Sequence, residues 1–405
     1  MKITSMRKLD YWAGIPLCIF LSGINYIPKI LPFKKKEKSR IKRALFIKLS
    51  ELGAIILSYP LLRRIKEEYS LEEIFFITFK KNQEVFKLLR GIIPARNILV
   101  IREDSIWVFL FDTLKIIGRL RREKIDIVFD LEFFSRFSAL LAFFIKADMK
   151  IGLFRYTYEG LYRGNFLTHK IQYNPLSHIS KTYLSLAQSI KKESQTTPNL
   201  DEQISDKEII FPKYESKTEI KSRMQRKLEK SGINSNSKLF LISPGEGVLP
   251  LREWPLENFI LLSRWILDGV NNYIVIVGTE GVAAKGELLL KALNTPKSIS
   301  LIGQTTLEEL MELFNLSEAL ISNDCGLAHL AMLTSIKKFI IFGPESPHVF
   351  GPLGDNNWII YSGLPCSPCL SILNHRNSSC TNNICLKMIS PENVYKLVTG
   401  SLNIS

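Results

Sequence analysis

The chain has 405 residues, more than one ordinary hydrophobic core supports, so its length favours two domains. Its 46% hydrophobic and 10% aromatic residues exclude an intrinsically disordered chain. The formal charge of +15 is concentrated in residues 1–43, which contain eleven Lys or Arg and two acidic residues. A nucleic-acid-binding protein more often spreads basic residues over a folded face, so this arrangement argues against nucleic acid and favours an anionic membrane surface.

An uncharged apolar segment from Tyr11 to Pro28 lies within this basic region. It has nearly the length of a bilayer-spanning helix, but residues such as Gly14, Pro16 and Gly23 interrupt it. An interfacial or re-entrant membrane anchor is therefore favoured over a spanning helix, a signal peptide or an apolar element folded onto the protein. The basic run that follows predicts that the next domain stays on the cytoplasmic side of the inner membrane.

Short apolar runs alternate with helical stretches in two parts of the chain. In the first part, the predicted strands are residues 44–48, 73–79, 97–101 and 125–131. In the second part, they are residues 238–243, 273–278, 298–303, 318–322 and 337–343. Strands that alternate with helices indicate a parallel sheet covered on both faces, so the sequence predicts two α/β domains.

The stretch between these parts, residues 189–237, is polar and is predicted to be an interdomain connection with a surface helix. Because open α/β sheets bind ligands at the carboxyl ends of their strands, the two domains predict a cleft between them. The predicted division comprises a membrane-associating segment (1–40), an N-terminal acceptor domain (41–190), a linker (191–236), a C-terminal donor-binding domain (237–389) and a final helix (390–405).

Polar turns follow several of the predicted strands. In "ISNDCGLAHLAML", Asp324 can cap the next helix, Gly326 lets a ligand approach the backbone, and His329 can point back toward that ligand. Free amides at a helix start attract phosphate, although a capped helix with a packed histidine is the simpler alternative. Glycine-bearing turns also occur within residues 46–60, 241–255 and 301–310. The coincidence of four such turns favours a ligand site.

The series "FIKLSELGAIILSYP", "SPGEGVLPLREWP", "LIGQTTLEELMELF" and "ISNDCGLAHLAML…FGPESP" resembles glycosyltransferase family 9, the heptosyltransferases, over residues 43–400. The resemblance implies an α/β fold of GT-B architecture, with two facing Rossmann-like domains and an interdomain cleft. It also implies an inverting transfer without a metal ion or other cofactor. The implied donor is a nucleotide sugar, most often ADP-heptose, and the acceptor is the lipid-linked core of lipopolysaccharide. The sequence is consistent with a transfer that needs no metal ion, because no two Asp residues stand two positions apart to hold a metal-bound diphosphate.

By this resemblance, the turn after residues 318–322 binds the donor phosphates. Asp324, Gly326 and His329 match the family motif, and the amides of Cys325, Gly326 and Leu327 would hold diphosphate oxygens. Cys325 stands where the family usually has Ser or Thr. A thiol nucleophile activated by His329 is an alternative, but an inverting transfer needs no covalent intermediate.

Three further residues are predicted to border the donor. Arg252 matches a basic position that contacts the same phosphates, where a fixed cation substitutes for a metal ion. Glu280 follows a strand, where its carboxylate could accept ribose hydroxyls, although an ordinary surface Glu is about equally plausible. Thr305 could border the nucleotide, although Thr305 and Thr306 both suit helix capping.

The first turn departs from the family pattern. Family members usually have Gly-Asp there, and that Asp is thought to deprotonate the acceptor hydroxyl, but this chain has Ala54. The replacement candidates are Glu51 on the same turn, then Asp130 and Glu132 at the end of another strand of the first domain. Glu51 is favoured because its loop faces the predicted cleft, while simple capping of the following helix is its alternative role.

A cysteine cluster lies near the C-terminus, at Cys366, Cys369, Cys380 and Cys385. Free thiols are favoured. A structural zinc site, with His375 as a substitute ligand, is the second alternative, and disulfides are the third because cytosolic proteins are reduced.

The sequence thus predicts a cytoplasmic, membrane-associated glycosyltransferase of the bacterial cell envelope that transfers heptose from ADP-heptose to a lipid-linked saccharide. One alternative is a hexosyl or other transferase of capsule or O-antigen assembly on the same fold. A second, made plausible by Ala54, is a catalytically degenerate protein that binds a nucleotide sugar without turnover.

Overall fold

The computed structural model describes residues 3–30, 40–155, 161–192, 202–245 and 249–402, with the backbone alone for residues 3–4 and 27–30. The chain divides into two compact units, Met1–Ile210 (unit 1) and Phe211–Ser405 (unit 2). The boundary falls within the polar connection between the two α/β parts. Most of the basic run after the apolar segment, residues 31–39, and Gly247 of the turn within residues 241–255 lie outside the described residues.

Unit 1 contains a parallel six-stranded sheet in the order β3-β2-β1-β4-β5-β6. Its strands are β1 (Arg43–Ile47), β2 (Glu73–Phe79), β3 (Ile98–Ile101), β4 (Ile127–Asp130), β5 (Met149–Phe154) and β6 (His169–Gln172). Its α-helices are α1 (Ile3–Trp12), α2 (Gly14–Ile30), α3 (Leu52–Leu57), α4 (Tyr59–Tyr69), α5 (Ile106–Glu123), α6 (Arg136–Ile145) and α7 (Ile179–Gln188). Short 3₁₀ helices cover Lys80–Leu88, Ala95–Asn97, Ser189–Lys191 and Asp206–Glu208.

The central strands of unit 1 are aromatic and aliphatic runs that helices cover on both faces. Ala44 of β1 lies opposite Ile74 of β2 and Ile127 of β4 in the parallel register. Phe46 of β1 stacks on Phe129 of β4, with 4.8 Å between the ring centroids. This packing fixes the carboxyl ends of β1 and β4 side by side.

The N-terminal helices pack against α6. Asp10 of α1 accepts the N–H of Arg136 at 3.0 Å, so its carboxylate caps the start of α6. Cys18 of α2 is fully buried against Ala139 and Phe166. One side of the apolar segment is therefore folded onto unit 1. Across the part of the chain that the structure describes, no helix has both the length and the apolar character that crossing a bilayer requires.

Unit 2 contains a second parallel six-stranded sheet, in the order β12-β11-β10-β7-β8-β9. Its strands are β7 (Lys238–Ser243), β8 (Asn272–Ile276), β9 (Ser298–Ser300), β10 (Ala319–Asn323), β11 (Lys337–Phe342) and β12 (Asn357–Tyr361). Its α-helices are α8 (Thr218–Glu229), α9 (Leu256–Leu267), α10 (Ala283–Leu293), α11 (Leu307–Asn315), α12 (Gly326–Ala331), α13 (Pro347–Phe350), α14 (Ile384–Lys387) and α15 (Pro391–Leu402). Short 3₁₀ helices cover Pro250–Arg252 and Glu280–Val282.

The two sheets share one topology. In each, the first strand is central, the second and third lie on one side, and the fourth to sixth lie on the other. The switch point of each sheet lies between its two central neighbouring strands. These are β1 and β4 in unit 1, and β7 and β10 in unit 2. Such switch points open a crevice at the carboxyl ends of the strands, where α/β proteins bind their ligands. The prediction of two Rossmann-like α/β domains is confirmed.

Candidate active site

A buried lysine occupies the switch point of unit 1. Lys48 follows β1, and its Nζ lies 3.4 Å from Glu51 Oε2 and 3.3 Å from Glu132 Oε2. Glu132 follows β4, and its other carboxylate oxygen accepts the N–H groups of Leu49 at 2.6 Å and Ser50 at 3.1 Å. Because a buried charge is costly unless it is paired, the two carboxylates compensate the lysine and join the β1 turn to the β4 turn.

Glu51 combines an unusual backbone conformation with a partly accessible carboxylate. Its φ of 68° lies in the left-handed region, which is uncommon for Glu. Its side chain is 31% exposed. Although Glu51 immediately precedes α3, its side chain makes no capping hydrogen bond. Glu51 is the N-cap residue of α3 through its carbonyl oxygen, which accepts the N–H groups of Ala54 and Ile55, but its carboxylate does not cap the helix. The carboxylate pairs with buried Lys48 and remains partly accessible at the switch point.

The structure contradicts a role for Asp130 as the base. Asp130 ends β4 with no exposed surface and forms an ion pair with Arg163. Its Oδ2 accepts a hydrogen bond from Ser138 Oγ at 3.0 Å, and its Oδ1 accepts the N–H of Glu132 at 3.1 Å. A base must come within hydrogen-bond reach of the proton it removes, and an enclosed carboxylate offers a substrate no approach. Asp130 instead fixes the backbone of Glu132.

An Arg–Asp pair occupies the switch point of unit 2. Arg252 ends the 3₁₀ helix in the connection after β7, and Asp324 directly follows β10. Arg252 Nη2 lies 2.7 Å from both the carbonyl oxygen and Oδ2 of Asp324. Burial raises the pKa of the Asp324 carboxyl, and the Arg252 guanidinium partly offsets this rise. The pair holds a cation beside the start of α12.

A buried tryptophan anchors the Arg252 loop. Trp254 donates its backbone N–H to Asn323 Oδ1 at 2.8 Å. It donates its indole N–H to the carbonyl of Ile389 at 2.9 Å. Because Asn323 is the last residue of β10, these bonds fix the position of Arg252, two residues earlier in the chain, relative to the β10 turn.

The predicted donor turn continues into α12. Cys325 occupies the N-cap position without a side-chain cap, and its Sγ lies 3.3 Å from Ser322 Oγ. Because Asp324 bonds Arg252 and the N-cap is Cys325, the structure does not show Asp324 as a helix cap. Gly326 is exposed, Leu327 is half-buried and His329 is buried in the first turn. The first turn of a helix presents amides without intrahelical acceptors, as a phosphate site requires.

The turns after β7, β8 and β9 form a continuous edge of the sheet. Gly245, after β7, packs on Val282, and the side chain of Glu280 lies against Gly303. A Cβ on Gly303 would lie 2.9 Å from Glu280 Cγ, and Gly303 has a φ of +67°. Glycine is therefore required there, both for the turn and for the approach of Glu280. Glu280 itself is exposed.

Only one of the two threonines before α11 is its cap. Thr306 accepts the N–H of Glu309 at 3.2 Å, and Glu309 accepts the N–H of Thr306 at 2.9 Å. This reciprocal arrangement is a capping box, so the capping role predicted for Thr306 is confirmed. Thr305 is half-buried at the preceding position and has no part in the cap.

The four C-terminal cysteines are free thiols that range from exposed Cys366 to buried Cys385. Burial raises the pKa of the Cys385 thiol, and the nearby Cys369 thiol adds to the rise. Within residues 249–402 and the other described ranges, no three or more His, Cys, Asp or Glu side chains are arranged to hold a metal ion. The structure thus offers no preformed ligand set for the zinc alternative.

Sequence reasoning missed three residues that organise these sites. Lys48 and Asn323 each end or follow an apolar run with a polar side chain, which is a usable signal for a strand end at a switch point. Arg163 comes from a distant loop to pair with Asp130. Nothing in the local sequence predicts that partner.

A sequence model described as glycosyltransferase family 9 (heptosyltransferase) matches residues 113–378. Lipopolysaccharide heptosyltransferase 2 of Escherichia coli K12 is 27% identical over 131 residues, which are 32% of this chain and 37% of that relative. Lipooligosaccharide heptosyltransferase 2 of Campylobacter jejuni is 24% identical over 168 residues, 40% of this chain and 50% of that relative. The matched segments span between about a third and a half of these relatives.

Solved structures resemble this chain over nearly its whole length. The E. coli ADP-heptose LPS heptosyltransferase II has a TM-score of 0.67 at 20% identity and covers 89% of this chain and 98% of its own. The glycosyltransferase family 9 protein of Veillonella parvula has a TM-score of 0.72 at 19% identity, with 92% and 100% covered. At these identities the likeness concerns the fold, and it confirms the predicted α/β fold of the GT-B class.

Proposed function

This chain belongs to glycosyltransferase family 9 (heptosyltransferase), and on that premise we propose that it transfers heptose from ADP-heptose to a lipid-linked saccharide such as the lipopolysaccharide core. The names of its relatives, which include ADP-heptose and lipopolysaccharide, support this choice of donor and acceptor. The observation that carries the proposal is the Arg252–Asp324 pair beside the start of α12. A nucleotide diphosphate would find a fixed cation and helix amides there.

In the proposed reaction, the anomeric carbon of the donor loses the nucleotide diphosphate, and negative charge develops on the departing oxygens. Arg252 supplies a positive charge whose position Asp324 fixes, and the amides of Cys325, Gly326 and Leu327 donate to the diphosphate. The cation and the amides together stabilise the negative charge that a divalent ion would otherwise stabilise, so the proposed transfer needs no metal.

Around the proposed diphosphate position, His329 lies in the first turn of α12. Glu280, on the turn after β8, is the proposed acceptor for the ribose hydroxyls because its carboxylate is exposed at the carboxyl edge of the sheet. Thr305 is proposed at the border of the nucleotide. These side chains select and orient the donor rather than carry out the chemistry.

Glu51 is the proposed base. Its carboxylate would remove the proton of the acceptor hydroxyl as that oxygen attacks the anomeric carbon from the face opposite the diphosphate, which inverts the configuration. Lys48 holds one carboxylate oxygen of Glu51, and Glu132 holds Lys48 in turn. The three residues replace the Asp that the family pattern has where this chain has Ala54.

We place the acceptor, and therefore the enzyme, at the cytoplasmic face of the inner membrane. Helix α2 buries Cys18 against unit 1 and leaves Leu17, Phe20 and Ile24 exposed. A helix that is apolar on both sides can place one side in the lipid interface while the other side stays packed on the protein. The residues described in α1 and α2 support a peripheral or monotopic attachment.

A transfer assay on deacylated lipopolysaccharide core, with EDTA present, tests the proposed function. We expect product from ADP-heptose and at most trace product from UDP- and GDP-sugars. Faster turnover of a hexose donor would favour the capsule or O-antigen alternative. Donor binding without any turnover would favour the degenerate binding protein that Ala54 suggests.

A further inference from the structure

Helix α5 has apolar residues on two opposite faces. Phe109, Ile116 and Leu120 are buried against the sheet of unit 1. Four further apolar side chains lie on the opposite side at helical spacing, and they are exposed by 78% (Trp107), 42% (Leu110), 62% (Phe111) and 69% (Leu114). A surface helix normally has one apolar stripe, and a contiguous second stripe marks an interaction surface.

The exposed stripe of α5 lies on the same side of the unit 1 sheet as the N-terminal helices. Asp10 of α1 caps α6 through the N–H groups of Arg136 and Phe137, at 3.0 and 2.8 Å. Met6 of α1 and Ile106 of α5 pack, with Phe137, against one core cluster. Helices α1 and α5 are therefore fixed to a common support, and the outward side chains of α1, α2 and α5 belong to one side of unit 1.

The charges on these helices indicate which partner fits them. Exposed basic residues accompany the apolar side chains: Arg7 and Lys8 on α1, and Lys115, Arg121 and Arg122 on α5. The acidic residues of these helices do not offset them, because Asp112 is buried and bonded to Arg102, while Asp10 and Glu123 are half-buried. Two copies of such a surface would repel each other, whereas anionic lipid headgroups would attract it.

We propose that α5, together with α1 and α2, docks unit 1 on an anionic bilayer, with Trp107, Leu110, Phe111 and Leu114 inserted into the lipid interface. The aromatic side chains suit the headgroup boundary, and the neighbouring basic residues contact lipid phosphates. The inference deepens the proposed membrane attachment, on which it rests, by giving that attachment a second element outside the N-terminal segment.

Co-sedimentation with phosphatidylethanolamine–phosphatidylglycerol vesicles tests this surface in the full chain. We expect Phe111→Glu with Leu114→Glu to weaken vesicle partitioning by about tenfold or more, because two apolar contacts are lost and two negative charges face anionic lipid. The matched control is Val270→Glu with Leu288→Glu, which changes two exposed apolar residues of unit 2 and should change partitioning by less than about twofold. Phe20→Glu with Ile24→Glu reports on α2 separately.

Three results would overturn the inference. If the α5 variant partitions like the unchanged chain while the α2 variant is weakened, α5 is not a lipid contact. If the unchanged chain does not sediment with vesicles, the attachment itself fails. If the α5 variant alters only the association state in sedimentation velocity, a second copy is the occupant.

Trp107→Ser is a milder variant that should weaken partitioning in the same direction even if the double variant unfolds. Transfer to a water-soluble acceptor, measured in parallel, tests the proposed glycosyltransferase activity independently.

Discussion

In the proposed donor site, Arg252 supplies the cation that binds phosphate, and Asp324 holds Arg252 in position. Guanidinium has five N–H donors in a rigid plane, and the Nη2 group alone contacts both the carbonyl and the carboxylate of Asp324. The ion pair therefore holds the guanidinium of Arg252 beside the start of α12. Asn323 holds the same loop through the backbone of Trp254.

We expect Arg252→Ala to raise the KM for ADP-heptose and lower kcat/KM by about two to three orders of magnitude, because the fixed charge at the leaving group is lost. Arg252→Lys should recover part of this loss, since it keeps a charge without the forked geometry. Arg264→Ala is the control: Arg264 also donates through Nη2 to a backbone carbonyl, that of Ala292, but on the exposed side of α9. Equal kinetics for Arg252→Ala and Arg264→Ala would contradict the role of Arg252.

At the unit 1 switch point, Glu51→Gln should lower kcat by about two to four orders of magnitude with little change in donor affinity. The glutamine amide cannot take the proton from the acceptor hydroxyl. Glu67→Gln removes an exposed carboxylate that pairs with Arg63 on α4 and should leave kcat nearly unchanged. Steady-state kinetics with saturating donor separate the two variants. A Glu51→Gln enzyme with unchanged kcat would remove Glu51 as the base.

The two candidate carboxylates of unit 1, Glu51 and Asp130, differ in surroundings that the sequence does not determine. The charged turn after the first strand predicts a carboxylate on the acceptor side, and Glu51 lies there in an accessible position. The sequence favours Glu51 but keeps Asp130 as a candidate, because both lie at or just after the carboxyl ends of predicted buried strands. Only the fold shows that Asp130 is enclosed by Arg163 and Ser138. Long-range ion pairs of this kind depend on packing, which local patterns do not encode.

Among the elements, the buried strands that meet at the switch points are the most predictable. Residues 73–79 and 238–243 match β2 and β7 at both ends, because these strands are continuous apolar runs. β5, β6 and β12 were not predicted. β6 is the short run "HKIQ" at the edge of its sheet, and β12 is the half-exposed edge run "NWIIY". β5, β6 and β12 are only partly buried, so their apolar pattern is weaker.

Strand β11 contains a buried lysine whose titration should affect stability. Burial lowers the pKa of Lys338 from 10.5 to about 8, and its Nζ donates to the carbonyl of Ile336 at 2.8 Å. Because the unfolded chain binds more protons between these pKa values, stability rises with pH through this window. At pH values below this window, the buried charge of Lys338 lowers the free energy of unfolding by on the order of 3 kcal/mol.

We therefore expect the unfolding free energy of the unchanged chain to rise relative to that of Lys338→Met as the pH goes from about 8 to 10.5. Denaturant unfolding of both proteins at the two pH values measures the difference. Lys337→Met is the neighbouring control, because Lys337 is half-buried rather than buried. A difference between Lys338→Met and the unchanged chain that does not depend on pH would contradict this account.

At the scale of the whole molecule, both units place paired charges at the switch point, where the order of the strands in the parallel sheet reverses. Unit 1 has Lys48 between two carboxylates, and unit 2 has Arg252 against Asp324. The alternation of strands and helices predicts both sheets, and the family resemblance predicts the donor turn. The resemblance brings Arg252 and the Asp324 turn to the same phosphates. Neither pattern predicts that Lys48, after the first strand of unit 1, meets Glu132, after the fourth, because strand order is a property of the folded sheet.

A crystal structure with bound ADP would locate the donor phosphates. We expect diphosphate oxygens within hydrogen-bond distance of the Arg252 guanidinium and of the amides of Cys325, Gly326 and Leu327, with no metal ion bridging them. A diphosphate bound elsewhere in unit 2, or held through a divalent ion, would contradict this expectation.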